Sequence, residues 1–168
     1  EINMLDRMTF SRKVAFQVVV AMAGIALLIG LSILQVRKQV TEGRHGQLVT
    51  AVESVHSIAE GYRAQASAGK LTEAQAKAAA IEAIRVARYG AGGKEYFYIW
   101  STDGVGVMHP IKPEWSGQNM VGKIKDGGGV DIIVALIDAI KASSTGSAFV
   151  PTNFPRPGSD VPVPKLQY

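Results

Sequence analysis

The chain contains no cysteine, which excludes disulfide bonds and thiolate metal sites. Its three histidines, His45, His56 and His109, have neither the spacing nor the carboxylate neighbours of a zinc site. No glycine-rich loop follows a strand pattern and opens a helix pattern, as nucleotide-binding loops do. We therefore expect no metal and no cofactor.

Neither sign of charge is concentrated along the chain, although 18 lysines and arginines exceed 14 aspartates and glutamates. The basic residues are scattered and are not interleaved with aromatic residues, which favours a solvated surface over a nucleic-acid-binding face. Groups for catalysis are also sparse, because Asp103 and Asp126 lie in turn sequences and no nucleophile stands beside a base. We predict that the chain is not an enzyme and binds no nucleic acid, with a membrane-tethered enzyme as the less favoured alternative.

Charged side chains are missing altogether from residues 14–36. At about 1.5 Å per helical residue, this run can cross a hydrocarbon layer of about 30 Å. A signal peptide has a shorter apolar stretch and a small-residue cleavage site, which residues 37–40 do not offer. We predict a transmembrane helix over 14–36, preceded by a short N-terminus, 1–13, and followed by one soluble domain, 37–168. Three basic residues flank the helix on each side, so the distribution of positive charge does not predict which end of the helix faces the cytoplasm.

Helical patterns continue beyond the apolar run. An apolar stripe at spacings of four and three predicts that the first helix extends to a break near Gly69. The stripe consists of Leu48, Val52, Val55, Ala59 and Tyr62. Thr72 and Gln75 have the spacing of a capping box and predict a second helix that ends near Arg88. A third, amphipathic helix is predicted over 130–142.

Strand patterns lie between and after the later helices. The run 96–100 is dense in aromatic and β-branched residues, 103–104 is a turn signal and 105–109 returns, which together predict a hairpin. Further strands are predicted at 147–150 and 163–168, joined by a proline-rich connection. Helices combined with antiparallel strands predict an α+β fold.

Several short motifs follow one another in a fixed order along the soluble part. They are Glu95-Tyr96-Phe97-Tyr98-Ile99, the Asp103-Gly104 turn, His109 to Glu114, Gly117-Gln118-Asn119, Asp126 with Gly127 to Gly129, Gly146, Phe154-Pro155-Arg156-Pro157 and Lys165-Leu166-Gln167-Tyr168. In this order and spacing they resemble the single Cache domain of bacterial membrane receptors, a PAS-like fold with an antiparallel sheet and flanking helices. The family is found most often in methyl-accepting chemotaxis proteins and also in sensor histidine kinases.

The resemblance implies a location and a role for the chain. Such domains lie in the periplasm, which would leave 1–13 in the cytoplasm and the anchor in the inner membrane. We expect a transmembrane chemoreceptor that forms a homodimer and signals to a histidine kinase and a coupling protein; a sensor histidine kinase with the same sensor domain is the alternative. Because the chain stops inside a strand pattern at Tyr168, we expect the end of the domain, a second membrane helix and a signalling region beyond it.

Members of the family bind small carboxylates such as acetate, propionate, pyruvate or lactate, which implies the same ligand class here. A carboxylate requires a cation or strong donors in a small, aromatic-walled pocket. Lys165 matches the family's lysine and Arg88 a commonly basic position. Aromatic and imidazole side chains complete the candidate site: Tyr96, Tyr98, His109 and Trp115. Thr152 stands where the family often has an aromatic residue, which could alter the choice of ligand.

The candidate site residues also have structural explanations. Tyr96 and Tyr98 could be core aromatics with satisfied hydroxyls, and His109 could be a structural hydrogen-bonding group. Strand alternation nevertheless places both tyrosines on one face with Trp100 and places Phe97 on the other. The sequence leaves these alternatives open.

Overall fold

The computed structural model describes residues 9–156 and 158–168. Its helical segments are α1 (Phe10–Ser67), α2 (Glu73–Val86), α3 (Ile132–Ala142) and two short 3-10 turns, Ala91–Gly93 and Pro113–Trp115. The three predicted helices are therefore confirmed, with ends that differ by up to four residues. At the start of α2 the capping box is present, because Thr72 Oγ1 accepts from Gln75 N at 3.2 Å and Gln75 Oε1 accepts from Thr72 N at 2.9 Å.

Six strands form three antiparallel pairs within the described residues. The strands are β1 (Arg88–Tyr89), β2 (Glu95–Tyr96), β3 (Ile99–Trp100), β4 (Gly106–Met108), β5 (Val150–Pro155) and β6 (Pro162–Gln167). β1 pairs with β2, β3 with β4, and β5 with β6. The predicted α+β class is confirmed.

The aromatic run is not the single strand that the sequence predicts. Tyr96 pairs with Arg88 of β1, so only β3 pairs with the returning strand. Within that pair Ile99 lies opposite Met108 and Trp100 lies opposite Gly106, which leaves Val107 as an extra, bulged residue. The predicted hairpin exists in a shortened and kinked form, because the first half of the run pairs with the chain that leaves α2.

The proline-rich connection that the sequence predicts between the last two strands is itself largely strand. Val150–Pro155 pairs with Pro162–Gln167 over six positions. Each strand of a two-stranded sheet has one free edge. A proline is tolerated where its nitrogen faces this edge, because no hydrogen bond to a neighbouring strand is needed there. The sequence prediction was wrong here, because it treated these prolines as breaks.

Residue contacts divide the chain into two compact units, Glu1–Gly46 and Gln47–Tyr168. In the first unit, residues 14–36 are exposed at every position. By length and composition α1, to which they belong, can cross a membrane. A lone helix that exposes this much apolar surface in water would be unfavourable, which agrees with the predicted span.

The second unit has two hydrophobic clusters, and the β3–β4 hairpin contributes to both. In the first cluster, buried Ile84, Phe97 and Met108 pack with half-buried residues of α1, α2 and β3. The α1 residues in it are Ala51, Val52, Val55 and Ala59. Three residues of the predicted stripe, Val52, Val55 and Ala59, therefore pack within the domain. The second cluster contains Met120, Ile124, Ile132 and Ile133, with Trp100, Trp115 and Phe154 packed against it.

The glycine at position 106 allows the hairpin to approach the following turn closely. A Cβ at this position would lie 2.4 Å from the carbonyl oxygen of Trp115 and 3.0 Å from the Trp100 ring. We predict that Gly106→Ala lowers the free energy of unfolding by about 1–3 kcal/mol, the usual cost of overpacking. Urea unfolding of the chain measures this, with Val107→Ala as the control, because Val107 is 37% exposed. Equal stability of the two variants would show that the approach is not tight.

Candidate ligand-binding site

His109 lies at the centre of an aromatic cluster and is only 7% exposed. Its ring centroid is 5.0 Å from the Trp115 ring and 5.3 Å from the Tyr96 ring. Tyr98 stacks parallel to it at 6.0 Å, and Trp100 stands at 6.5 Å. Four aromatic rings thus surround one imidazole.

The strand pattern explains how these rings reach the same place. Tyr96, Tyr98 and Trp100 all contact His109, whereas Phe97 packs on the other side, in the cluster with α1 and α2. The predicted alternation is therefore confirmed. One face of this segment forms the aromatic cluster, and the opposite face anchors the helices.

The hydrogen bonds of His109 fix its tautomer. Its Nδ1 accepts from the backbone N–H of Ile111 at 3.2 Å and of Lys112 at 3.0 Å. Nδ1 therefore carries no proton and the hydrogen of the neutral ring lies on Nε2. Burial lowers the pKa of His109 to about 4; Glu114 opposes the shift, while Lys112 and Lys165 add to it. At neutral pH, Nε2–H is an uncharged hydrogen-bond donor.

The second part of the site is the β5–β6 pair. Lys165 of β6 lies opposite Thr152 of β5. The Lys165 Nζ donates to the carbonyl oxygen of Pro155 at 2.8 Å and lies 5.7 Å from the centre of the Phe154 ring. Burial lowers the pKa of this lysine, with Glu95 opposing and Arg156 reinforcing the shift. Because its charge also acts on His109, the ammonium group and the imidazole belong to one electrostatic environment.

A chain of three polar side chains links the aromatic cluster to the β5–β6 pair. The Tyr98 hydroxyl donates to Gln167 Oε1, and Gln167 Nε2 donates to Thr152 Oγ1 at 2.8 Å. Burial raises the pKa of Tyr98 above its ordinary value, so its hydroxyl stays protonated at neutral pH. Gln167 thus joins two segments that are far apart in sequence.

The structure brings most of the predicted site residues together. Tyr96, Tyr98, His109 and Trp115 are in ring contact, and Lys165 is electrostatically coupled to His109. The sixth, Arg88, has an exposed side chain whose Nη1 donates to the carbonyl oxygens of Arg85 and Ala87, both at 2.8 Å. These bonds satisfy carbonyls at the end of α2, so a ligand role for Arg88 stays a prediction without support from this geometry.

Sequence reasoning missed Gln167 and noticed Thr152 only as a departure from the family. Gln167 lies two residues from Lys165 and shares its face, but nothing local to β6 shows that its partners are Tyr98 and Thr152. The partner strand was concealed by its prolines, so Thr152 could not be placed opposite Lys165. Within residues 9–156 and 158–168, no group of three or more metal-ligating side chains is found.

These features define a sensor domain of the PAS-like type, in which small antiparallel sheets carry an aromatic site next to a long helix. The model of the single Cache domain 2 family matches residues 40–168. The chain belongs to this family, as its motifs predict.

Three relatives agree with this assignment. The methyl-accepting chemotaxis protein McpP of Pseudomonas putida is 26% identical over 99% of this chain, which spans 30% of the length of that receptor. The periplasmic sensor domain of a chemotaxis protein is 35% identical, with a TM-score of 0.67 over 75% of this chain and 87% of that one. A Cache chemosensory domain, solved to explain carboxylic acid recognition, is 27% identical, with a TM-score of 0.68 over 77% and 84% of the two chains.

The buried, neutral state of His109 predicts a pH-dependent stability. Because the pKa of His109 is about 4 in the fold and about 6.5 in an unfolded chain, unfolding takes up a proton between these values. Stability contributed by the neutral ring is fully present above pH 6.5 and is lost as the pH falls towards 4. Urea unfolding at pH 7.5 and 4.5 measures how much the free energy of unfolding falls between these two values. This fall should be smaller for His109→Gln than for the unchanged chain.

The matched control is His56→Gln, because His56 lies exposed on α1. This variant should keep the pH dependence of the unchanged chain. The same loss in all three proteins would contradict a buried neutral His109.

Proposed function

We propose that the chain is the sensor part of a transmembrane chemoreceptor that binds a small organic acid of the acetate, propionate, pyruvate or lactate class. The observation that carries the proposal is a buried neutral imidazole, His109, in an aromatic cluster that Tyr98 and Gln167 link by hydrogen bonds to the β5–β6 pair. That pair carries the half-buried ammonium group of Lys165, whose charge acts on His109. A cation and a neutral donor complement a carboxylate, and the rings complement a short carbon chain.

The electrostatics of Lys165 favour an anionic ligand. Burial lowers the pKa of this lysine even though Glu95 acts in the opposite direction, so its charge is not fully compensated in the fold. A carboxylate near Nζ would stabilise the ammonium form, whereas a second cation would not. The imidazole Nε2–H adds a donor without adding charge.

The relatives support this ligand class. The Cache chemosensory domain at 27% identity recognises carboxylic acids, and the other two relatives are chemotaxis proteins. Chemotaxis is therefore better supported as the output than a sensor histidine kinase. A signalling partnership with a histidine kinase and a coupling protein, through a homodimer, belongs to the same proposal.

The packing of the second unit suggests how binding is transmitted. On the side opposite the site, Phe97 of the aromatic segment and Met108 of β4 pack in the cluster that includes Val52 and Val55 of α1. A ligand that draws His109 and Lys165 together would move this segment and displace α1 along its packed face. Small shifts of a packed helix are a known means of biasing a two-state signalling element.

Location is the third part of the proposal. We place residues 14–36 in the inner membrane, 1–13 in the cytoplasm and 37–168 in the periplasm. The exposed apolar surface of α1 and the relationship to a periplasmic sensor domain support this arrangement.

The absence of cysteine permits a direct test of orientation. Two variants each carry a single cysteine at an exposed position, Thr102→Cys on one side of the span and Thr9→Cys on the other. Each is treated with a sulfonated maleimide, which does not cross the inner membrane. In intact cells Thr102→Cys should be labelled, and Thr9→Cys should be labelled only after permeabilisation. The reverse pattern would contradict a periplasmic domain.

Ligand binding is tested by isothermal titration of the chain in detergent with acetate, propionate, pyruvate and lactate. At least one acid should bind, and Lys165→Met should weaken it roughly tenfold or more, because a charge-assisted bond contributes about 1.5–3 kcal/mol. His109→Gln should weaken binding less. Lys123→Met removes an exposed charge and should leave the affinity unchanged. No binding of any acid, or equal affinity for Lys165→Met and Lys123→Met, would refute the proposed site.

A further inference from the structure

The amide of Gln167 is hydrogen-bonded at both ends. Its Oε1 accepts from the Tyr98 hydroxyl, and its Nε2 donates to Thr152 Oγ1 at 2.8 Å. Tyr98 lies between β2 and β3, and Thr152 lies in β5. One side chain therefore controls the hydrogen bonds of two hydroxyl groups that belong to different segments.

An amide imposes a direction on such a chain, because its oxygen only accepts and its nitrogen only donates. The hydroxyl hydrogen of Tyr98 is committed to Gln167, so the Tyr98 oxygen can only accept from any further partner. Thr152 is in the opposite state. Its oxygen already accepts from Gln167, and its own hydrogen has no acceptor among residues 9–156 and 158–168.

The polar groups of the proposed site therefore differ in whether they can donate or accept a hydrogen bond. Lys165 Nζ, His109 Nε2–H and Thr152 O–H can donate, whereas the Tyr98 oxygen can only accept. A carboxylate is an acceptor only and complements the three donors. It offers nothing to the Tyr98 oxygen. A hydroxyl group on the carbon next to the carboxylate supplies the missing donor.

We infer that Gln167 is a specificity-determining residue, which holds the Tyr98 hydroxyl as an acceptor and thereby favours 2-hydroxy acids over unsubstituted acids of the same length. This inference rests on the proposed acid site. Without the amide, the Tyr98 hydrogen is free to donate to a carboxylate. The unsubstituted acid then regains a partner and the preference disappears.

The experiment compares pairs of acids that differ in one hydroxyl group. The chain in detergent is titrated calorimetrically with glycolate against acetate, and with lactate against propionate. The unchanged chain should bind each hydroxy acid roughly fivefold more tightly or better, the usual effect of one hydrogen bond. Gln167→Leu should bring the ratio of the two affinities close to one.

Two further variants separate specificity from folding. In Gln167→Glu the carboxylate still accepts from Tyr98, so the ratio of the two affinities should persist. Its negative charge should weaken the binding of both acids. Tyr98→Phe removes the acceptor and should abolish the ratio, and adding Gln167→Leu to it should change the ratio no further. Circular dichroism and thermal melting establish that each variant is folded.

The outcomes distinguish this inference from the proposed function. If no acid binds the unchanged chain, both are refuted. If acids bind but hydroxy and unsubstituted acids bind equally, or if the preference survives in Gln167→Leu or Tyr98→Phe, only the inference is overturned. A purely structural Gln167 would weaken both acids by the same factor and leave their ratio unchanged, which also overturns it.

Discussion

The burial of a neutral imidazole, on which the charge of a partly desolvated ammonium group acts, is the constraint on which the proposed site depends. His109 keeps its ring uncharged because two backbone N–H groups occupy Nδ1 and burial holds its pKa near 4. A charged imidazole would be repelled by Lys165, whose charge already lowers the pKa of His109. The aromatic rings that bury His109 therefore also keep its Nε2–H an uncharged donor for a bound acid.

The same short segment connects this site to the long helix. Its aromatic face surrounds His109, while Phe97 on its other face packs with Met108 against α1. The bulge at Val107 makes this division possible, because it sends Met108 to the helices and leaves Gly106 opposite Trp100. The proposed binding site and the contact with α1 thus use opposite faces of one piece of backbone.

How much of this could be predicted from the sequence depended on the range of the interactions. The capping box at Thr72 and the alternation of Tyr96 and Tyr98 follow from local patterns, and both are present. The α1 stripe also follows from local periodicity, and its residues Val52, Val55 and Ala59 pack in the first cluster. The pairing of Tyr96 with Arg88 depends on a two-residue strand, which is too short to show a period, and the strand through Pro151 and Pro155 depends on edge positions. Both depend on a pairing partner that local patterns do not show. Gln167 was missed for the same reason, because its two partners lie on other segments.

The most direct test of the account is the ¹⁵N NMR spectrum of the His109 ring at neutral pH, with and without a bound acid. The account predicts a neutral ring protonated on Nε2, whose N–H proton shifts downfield when acetate or lactate is added. An imidazolium ring, a proton on Nδ1, or a spectrum that no small acid changes would contradict it.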